Sequence, residues 1–388
     1  MKVIIKKIGV FIFIVLFLSK SFLYCDDFKK IKILIADSPE ILLTFNGKFK
    51  IYNKFTKKEI ATIIDTKPLL FSIKNKKIKI ENYGLFSGAI YIENLSDGNI
   101  KFNTYKYGGN FYLALSTNRI FLINEISIEE YLKGVLPNEI SPRWNIEAIK
   151  AQAVAARTFA YFYRLKNSGQ LYHLKANILS QVYTGKIGEN SNFNKGIKET
   201  ENEVLIYKGK LIAAYFHSVC GGHTENAEKV WGKKLPYLRG VPCSYCRGAP
   251  YYKWEVSFTE EELIKKLSKA GYKFTHISAI LPEKISSSGR WVLVKIIGKP
   301  TSIVIKGNRF RLILGAEKLR STKFRIRRYR RKWVIRGRGW GHGVGLCQWG
   351  AKKMAERGYK YYQILRYYFR GTKIVKISSK YFTLFSKE

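Results

Sequence analysis

The tightest constraint on this fold is the segment GRGWGHGVGLCQWGA, in which glycine occupies every second position from Gly337 to Gly345. In an extended backbone, successive side chains point to opposite faces, so this alternation removes every side chain from one face. The other face carries Arg338, Trp340 and His342. The bare face indicates either close packing against another strand or a surface for a polymer, with Trp340 stacking and His342 making a polar contact. No G-K-[ST] sequence follows, which excludes a nucleotide-binding loop.

The composition is that of packed domains with an extreme positive charge. The 388 residues predict two or three domains, and 46 % hydrophobic residues exclude a disordered or collagen-like chain. Against 28 acidic residues stand 70 lysines and arginines, a net charge of +42. That charge favours nucleic acid, anionic lipid or an acidic polymer as partner, although a lysine-rich composition with solvated charges explains much of it.

The N-terminus has the pattern of an export signal. Three lysines within the first seven residues precede an apolar run over 8–18, which is short for a permanent membrane span. Residues 1–25 are therefore expected to be a signal peptide or an N-terminal anchor, with lipidation of Cys25 as a further option. We expect an exported protein that is located in the cell wall, in the periplasm or on the outer face of the membrane. Membrane contact is then limited to this segment, and no nucleic-acid partner is expected.

Residues 26–120 are predicted to be a β-rich segment. Apolar and polar residues alternate from Ile31 to Ile126, with many β-branched and aromatic side chains. Asn46-Gly47 and Asp97-Gly98 each separate two such runs, and these pairs favour two-residue hairpin turns.

Further along the chain, apolar positions at three- and four-residue steps predict a helix of four or five turns from Ile146, starting at Asn145 or Ser141-Pro142. Four more elements are expected: a hairpin over 205–216 around Lys208-Gly209, a helix opened by a capping box at Thr259 and ending near Gly271, strands over 277–335, and a helix from about Leu346 to Arg357.

Glu139 in VLPNEISPRW is the first candidate for chemistry. It lies between the apolar pair Val135-Leu136 and Ile140, just before the predicted helix. A carboxyl partly desolvated by such neighbours keeps its proton to higher pH, as a general acid acting on an ether oxygen requires. The alternative is a carboxylate near a helix N-terminus, stabilised by the macrodipole.

Two cysteine and histidine pairs are the second candidate. Cys220-x2-His223 and Cys243-x2-Cys246 have the spacing of a tetrahedral zinc site. The alternative in an oxidising compartment is a disulfide from Cys220 to Cys243 or Cys246. His217 is a spare ligand or a substrate contact. The absence of an H-E-x-x-H pattern from the sequence leaves a metallohydrolase weakly supported.

A basic run, KFRIRRYRRKWVIRGR, carries eight arginines or lysines between Arg325 and Arg338. It indicates the exposed face of a strand. Its interleaved aromatic residues are also found in nucleic-acid binders, and an acidic envelope polymer would satisfy the same electrostatics.

Three long segments follow one another in the order VLPNEISPRWNIEAIKAQAVAARTFAYFY, FHSVCGGHTENAEKVWG with PYLRGV, and GRGWGHGVGLCQWGAKKMAERGYKYYQILRYYF. They resemble the motifs of the stage II sporulation protein D family, the SpoIID/LytB domain, over about residues 120–388. The resemblance implies an α+β fold: the β-rich segment 26–120, then a mixed SpoIID-type domain over 121–388 with a β-rich insertion at about 275–335.

The resemblance implies a peptidoglycan-processing protein. Members of the sporulation branch are lytic transglycosylases, which cut the β-1,4 bond between N-acetylmuramic acid and N-acetylglucosamine in strands stripped of stem peptides and leave a 1,6-anhydro end. The family's catalytic glutamate falls on Glu139, and its lysine and arginine fall on Lys150 and Arg157 as substrate-binding residues. We expect further substrate contacts from His217, Trp340, His342 and Gln348.

The LytB branch implies an alternative, a non-catalytic enhancer of a cell-wall amidase, which makes such an amidase a candidate partner. Neither branch implies a cofactor for catalysis. Because some members bind zinc, a structural zinc at Cys220, His223, Cys243 and Cys246 agrees with the resemblance. Cys347 stands where many members have serine or threonine.

Overall fold

The computed structural model describes residues 28–65, 67–177, 180–186 and 190–378, and it has the expected α+β architecture. The predicted export segment lies outside these ranges. Within them, no helix combines the length and apolar character needed to cross a bilayer.

The described residues up to Ser127, together with the short strand Leu174–Lys175, form a two-sheet β structure. One sheet has the strand order β13-β1-β12-β11-β8-β3-β4 and the other the order β10-β9-β2-β5-β6-β7. Phe45 on β2 contacts Phe49 on β3 with ring centroids 5.3 Å apart, so the two sheets share a core. The strands are β1 (Lys30–Ser38), β2 (Glu40–Asn46), β3 (Lys48–Asn53), β4 (Glu59–Ile64), β5 (Leu69–Lys74), β6 (Lys77–Ile80), β7 (Gly84–Phe86), β8 (Ile90–Asn94), β9 (Asn99–Phe102), β10 (Tyr105–Tyr107), β11 (Asn110–Ser116), β12 (Arg119–Ser127) and β13 (Leu174–Lys175).

The two predicted hairpins in this segment are wrong, although both turns exist. The strands on either side of Asn46-Gly47, β2 and β3, belong to different sheets, and so do β8 and β9 around Asp97-Gly98. The two turns carry the chain between the sheets and touch each other. A Cβ on Gly98 would overlap the carbonyl oxygen of Asn46, and one on Gly47 would lie 2.9 Å from Gly98 Cα.

Helices dominate the middle of the chain. They are α1 (Ile128–Glu139), α2 (Ile146–Lys166) and α3 (Ser191–Glu199). The predicted helix is α2, and the side chain of Asn145 accepts a hydrogen bond from the Glu147 amide at its start. Every residue from Ala151 to Tyr161 is buried, so α2 is a core helix rather than a surface one. Sequence analysis missed α1, although Ser127 caps it by accepting from the Glu130 amide.

The remaining elements carry the glycine segment and the basic run. They are β14 (Glu203–Tyr207), β15 (Lys210–Leu211), β16 (Phe216–His217), α4 (Ala227–Trp231), a 3₁₀ turn (Ser244–Cys246), β17 (Lys253–Thr259), α5 (Glu260–Lys269), β18 (His276–Ile285), β19 (Trp291–Lys299), β20 (Ile303–Lys306), α6 (Gly307–Leu314), β21 (Phe324–Tyr329), β22 (Lys332–Arg338), β23 (Leu346–Cys347), α7 (Gln348–Glu356), α8 (Tyr361–Tyr368) and β24 (Lys373–Lys376).

Of the four elements predicted after the long helix, three are confirmed and one needs correction. The turn at Lys208-Gly209 joins β14 to β15, Thr259 and Glu262 form the capping box of α5, and α7 ends two residues before Gly358. The run 277–335 is not entirely strand, because α6 interrupts it. That helix buries Gly307, Phe310, Arg311 and Leu314, which recur at steps of three and four residues rather than two.

The chain divides into two compact units. The first contains the described residues up to Pro142, residues 156–204 and the described residues from Val375; the second contains residues 143–155 and 205–374. Neither unit ends at the expected boundary between residues 120 and 121, because α1 and half of α2 belong with the β segment. In the second unit, the expected insertion is part of a separate core that runs from Trp254 to Ile335.

Close packing of the two turns predicts a stability difference between two glycine variants. Gly98→Ala should lower the free energy of unfolding by about 1–3 kcal/mol, because the new methyl group overlaps Asn46. Gly169→Ala is the matched control, since a Cβ there meets nothing within 4 Å. Urea unfolding of both variants checks this, and equal midpoints would contradict the packing of the turns.

Candidate functional site

Glu139 is the last residue of α1 and is half-buried. Its neighbours Val135, Leu136 and Ile140 are buried, as the sequence predicted. The alternative, a carboxylate at a helix N-terminus, is wrong, because Glu139 lies at the C-terminus of α1. The sequence did not predict this helix. A helix C-terminus carries the negative end of the macrodipole and disfavours a carboxylate there.

The other two carboxylates of α1 are held by cations of the same unit. Glu129 pairs with Arg157, and Glu130 pairs with Lys133 one turn along the helix. Both carboxylates are therefore committed to ion pairs within the first unit.

Arg157 is a structural residue and not an exposed substrate contact. Its side chain is fully buried, and its Nε and Nη2 each lie 2.7 Å from a carboxylate oxygen of Glu129. The remaining donors reach the carbonyl oxygens of Ile197 and Glu203 and the hydroxyl of Thr200. Burial and these committed donors favour a structural role for Arg157 over the substrate-binding role that the resemblance implies.

Lys150 lies in the second unit, on the first half of α2. Its Nζ is 3.3 Å from Glu147 Oε1 and 5.9 Å from the ring centre of Tyr361. Glu147 Oε2 accepts from the Tyr361 amide at 2.8 Å, so this carboxylate anchors the start of α8.

The glycine segment is a tightly packed ribbon rather than an extended strand. Gly339, Gly341, Gly343 and Gly345 all have φ between 72° and 108°, a region that favours glycine. Their α-carbons abut the chain from Tyr215 to Gly221 and the guanidinium of Arg290, with no room for a Cβ. Of the two possibilities that the alternation left open, close packing is the one observed, and the glycine face is not a bare surface for a polymer.

The side chains of this glycine ribbon (residues 337–345) separate into two groups. The His342 ring packs among aromatic rings, with centroids 5.0 Å from Trp231, 5.6 Å from His217 and 6.1 Å from Tyr215. Trp340 lies elsewhere, 4.8 Å from the ring of Tyr251. Gln348, at the start of α7, is buried.

Both histidines are neutral in the native protein. His217 Nδ1 donates to the carbonyl oxygen of Val344 at 3.0 Å, and His342 Nδ1 accepts from the Val344 amide at 3.0 Å. Burial holds the pKa of His217 well below its usual range and lowers that of His342 to about 3, aided by the charge of Arg311. His217 Nε2 is buried without a hydrogen-bond partner among the described residues.

Three of the four predicted metal ligands come together, and the fourth is a different residue. The sulfur atoms of Cys220, Cys243, Cys246 and Cys347 all lie within 4.8 Å of one another and are buried and unbridged. His223 is outside this cluster, with its Nδ1 at 2.6 Å from the carbonyl oxygen of Thr224. The local spacing of Cys220 and His223 suggested a pair, but the parallel bridge of β16 and β23 brings Cys347 in instead.

The basic run is exposed, as expected. β21 pairs with β22, and β22 also pairs with β17, to give a three-stranded sheet. A groove along this sheet is lined by Lys253, Lys323, Arg325, Arg327, Arg328, Arg336 and Arg338, among others.

Arg290 is the important residue that sequence analysis missed. It is fully buried and donates to the carbonyl oxygens of Cys220 and His223 at 2.6 and 2.9 Å. One arginine among many in a basic chain gives no signal of burial.

Comparison with known proteins gives two family matches. The family model "Stage II sporulation protein" (SpoIID) matches residues 116–207, and a domain of unknown function, DUF8618, matches residues 244–345.

Three relatives span much of the chain. An uncharacterised protein of Brachyspira hyodysenteriae is 36 % identical over 86 % of this chain and 89 % of its own length. The stage II sporulation protein D of Bacillus subtilis is 33 % identical over 65 % of this chain and 75 % of its own length. The amidase enhancer of Bacillus subtilis is 30 % identical over 77 % of this chain, which spans about half (49 %) of that protein.

The buried ion pair of Arg157 predicts a large stability loss. Arg157→Ala should lower the free energy of unfolding by about 3–5 kcal/mol, because Glu129 and two carbonyl groups lose their donors. Arg119→Ala is the control, since its pair with Asp37 is exposed and contributes less than about 1 kcal/mol. Calorimetry compares them, and a small loss for Arg157→Ala would reopen its assignment as a substrate contact.

The neutral histidines predict a pH-dependent stability. Below about pH 6.5 the unfolded chain protonates at His217 and His342 while the native protein does not, so stability is full above that pH and falls as pH decreases. Between pH 7 and 5 we expect a loss of about 1–2 kcal/mol per histidine. His217→Gln should flatten the slope of unfolding free energy against pH. Equal slopes in the wild type and in His217→Gln would be inconsistent with neutral burial of His217.

Proposed function

This chain belongs to the stage II sporulation protein D family, and on that premise we propose that it is a lytic transglycosylase of peptidoglycan with Glu139 as its general acid and base. The substrate is the glycan strand stripped of stem peptides. The bond broken is the β-1,4 linkage between N-acetylmuramic acid and N-acetylglucosamine. The protein acts outside the cytosol, in keeping with the export pattern at its N-terminus.

The observation that carries this proposal is the position of Glu139 at the C-terminal end of α1. Glu139 is half-buried beside apolar side chains at the end of the helix where the dipole is negative, and in general both conditions stabilise the neutral form of a carboxyl. The half-exposed side chain remains within reach of a substrate. A protonated, accessible carboxyl is what departure of a sugar oxygen requires.

The reaction needs one carboxyl. Glu139 donates its proton to the bridging oxygen as the bond from that oxygen to C1 of the muramyl residue breaks. The 6-hydroxyl of the same sugar then forms the new bond to C1, and its proton passes to the Glu139 carboxylate. The products are a free 4-hydroxyl and a 1,6-anhydro end, and the carboxyl is restored. Hydrolysis with two carboxylates would need a second carboxylate to activate water or to attack C1.

The other carboxylates of the same helix are in keeping with a single-acid mechanism. Glu129 is paired with Arg157 and Glu130 with Lys133, so neither is expected to activate water.

An amidase-enhancing role is the second candidate, favoured by the 30 % identity to the Bacillus subtilis amidase enhancer over 77 % of this chain. In that role the protein would bind glycan and stimulate a separate amidase without cutting the strand itself. The inward packing of the glycine ribbon and of Arg157 is compatible with either role.

Incubation with denuded glycan tests the proposal. Mass spectrometry should detect 1,6-anhydromuramyl ends with the wild-type protein, and Glu139→Gln should reduce their rate of formation at least about 100-fold, because the amide cannot supply the proton. Glu130→Gln is the matched control on the same helix, and it should retain activity because Glu130 only pairs with Lys133.

Glycan co-sedimentation completes the test, because Glu139→Gln should bind denuded strands as the wild type does. Anhydro products that survive Glu139→Gln would refute the assigned residue. Wild-type protein that yields no products but accelerates a purified cell-wall amidase would establish the second candidate instead.

A further inference from the structure

The four clustered cysteines have the geometry of a metal site. Their sulfur atoms lie within 4.8 Å of one another, and those of Cys220 and Cys246 are 3.3 Å apart. A tetrahedral ion with zinc–sulfur bonds of about 2.3 Å places its sulfur atoms about 3.8 Å apart. An ion at the centre therefore requires displacements of about 1 Å or less.

We propose that Cys220, Cys243, Cys246 and Cys347 bind one zinc ion as four thiolates. Four sulfur ligands in a tetrahedron suit zinc or iron, and a fully occupied shell with no open position is typical of a structural zinc site. The site is distinct from the glycan chemistry, and it replaces the ligand set predicted from sequence, in which His223 was the fourth member.

Hydrogen-bond donors already face the sulfur atoms. The Cys220 amide lies 3.2 Å from Cys347 Sγ, and the Tyr368 hydroxyl lies 3.1 Å from Cys243 Sγ. Such outer contacts stabilise thiolates and fix the direction of their lone pairs. Gly350 adds space, because a Cβ there would lie 2.9 Å from Cys243 Sγ.

The charge of the surroundings fits the complex. Zinc with four thiolates carries a net charge of −2, which is costly to bury without a counter-charge. The buried guanidinium of Arg290 supplies one, through its bond to the Cys220 carbonyl and its attraction to Cys220, Cys246 and Cys347. The lack of a side chain at Gly343 admits this guanidinium, since a Cβ would lie 2.5 Å from Arg290 Cζ.

Zinc would join three segments that are distant in the sequence and meet in the core of the second unit. Cys220 follows β16, Cys243 precedes the 3₁₀ turn that Cys246 ends, and Cys347 lies two residues beyond the glycine ribbon and caps α7. Because the four cysteines belong to one hydrophobic core, a metal cross-link would add its binding free energy to the apolar burial there. The inference is that zinc fixes the conformation of the glycine ribbon.

Metal analysis of the full-length chain, purified without chelator and with any affinity tag removed, is the direct test. We expect one zinc per chain by elemental analysis, and cobalt exchanged for zinc should show the intense absorption of a tetrahedral thiolate complex. Absence of bound metal, iron in place of zinc, or disulfides among the four cysteines by peptide mass spectrometry would each overturn the proposal.

Matched variants identify the ligands. Cys347→Ser should weaken zinc binding by more than about 100-fold, beyond the effect of losing an outer contact, and His223→Gln should bind zinc like the wild type. Zinc retained by Cys347→Ser but lost by His223→Gln would overturn the ligand set. If Cys347→Ser does not fold, the wild-type chain is refolded under reducing conditions with and without zinc. Folding to the same thermal stability without the ion would refute a structural role. None of these measurements depends on glycan cleavage.

Discussion

The close approach of the glycine ribbon to the chain from Tyr215 to Gly221 is the contact on which the organisation of the second unit depends. Four left-handed glycines let two backbones meet where side chains would forbid it. That approach brings β16 beside β23, places His217 next to His342, and carries Cys347 to Cys220. It also leaves a space that only the planar guanidinium of Arg290 fills.

In the first unit, hydrogen bonds and an ion pair, rather than close packing of glycines, hold the helix that carries Glu139. Helix α1 is fixed at its start by the Ser127 cap and along its side by the buried pair of Glu129 with Arg157. The same helix ends at Glu139, so the ion pair that stabilises α1 also positions the proposed acid. A role for Arg157 in activity would act through this positioning and not through contact with glycan.

The sequence predicted the secondary structure correctly where an element depends on residues that are close together in the chain. The capping box at Thr259, the left-handed pair Lys208-Gly209 and the periodicity of α2 all predicted the observed elements, because each depends on residues a few positions apart. The same signals could not predict which strands pair in a sheet or which distant side chains meet. Asn46-Gly47 and Asp97-Gly98 form turns, but tertiary packing sends the flanking strands to different sheets. The fourth sulfur, Cys347, lies 101 positions beyond Cys246, so only the fold could select it over the nearby His223.

The central claim is that one carboxyl cleaves the glycan with the sugar's own hydroxyl as nucleophile, and isotope labelling tests it most directly. Denuded glycan is digested by the wild-type protein in water enriched in heavy oxygen, and the new ends are analysed by mass spectrometry. The account predicts 1,6-anhydro ends, lighter than reducing ends by one water and free of the label. Reducing ends that carry the label would show that water attacks the muramyl carbon and would contradict the account.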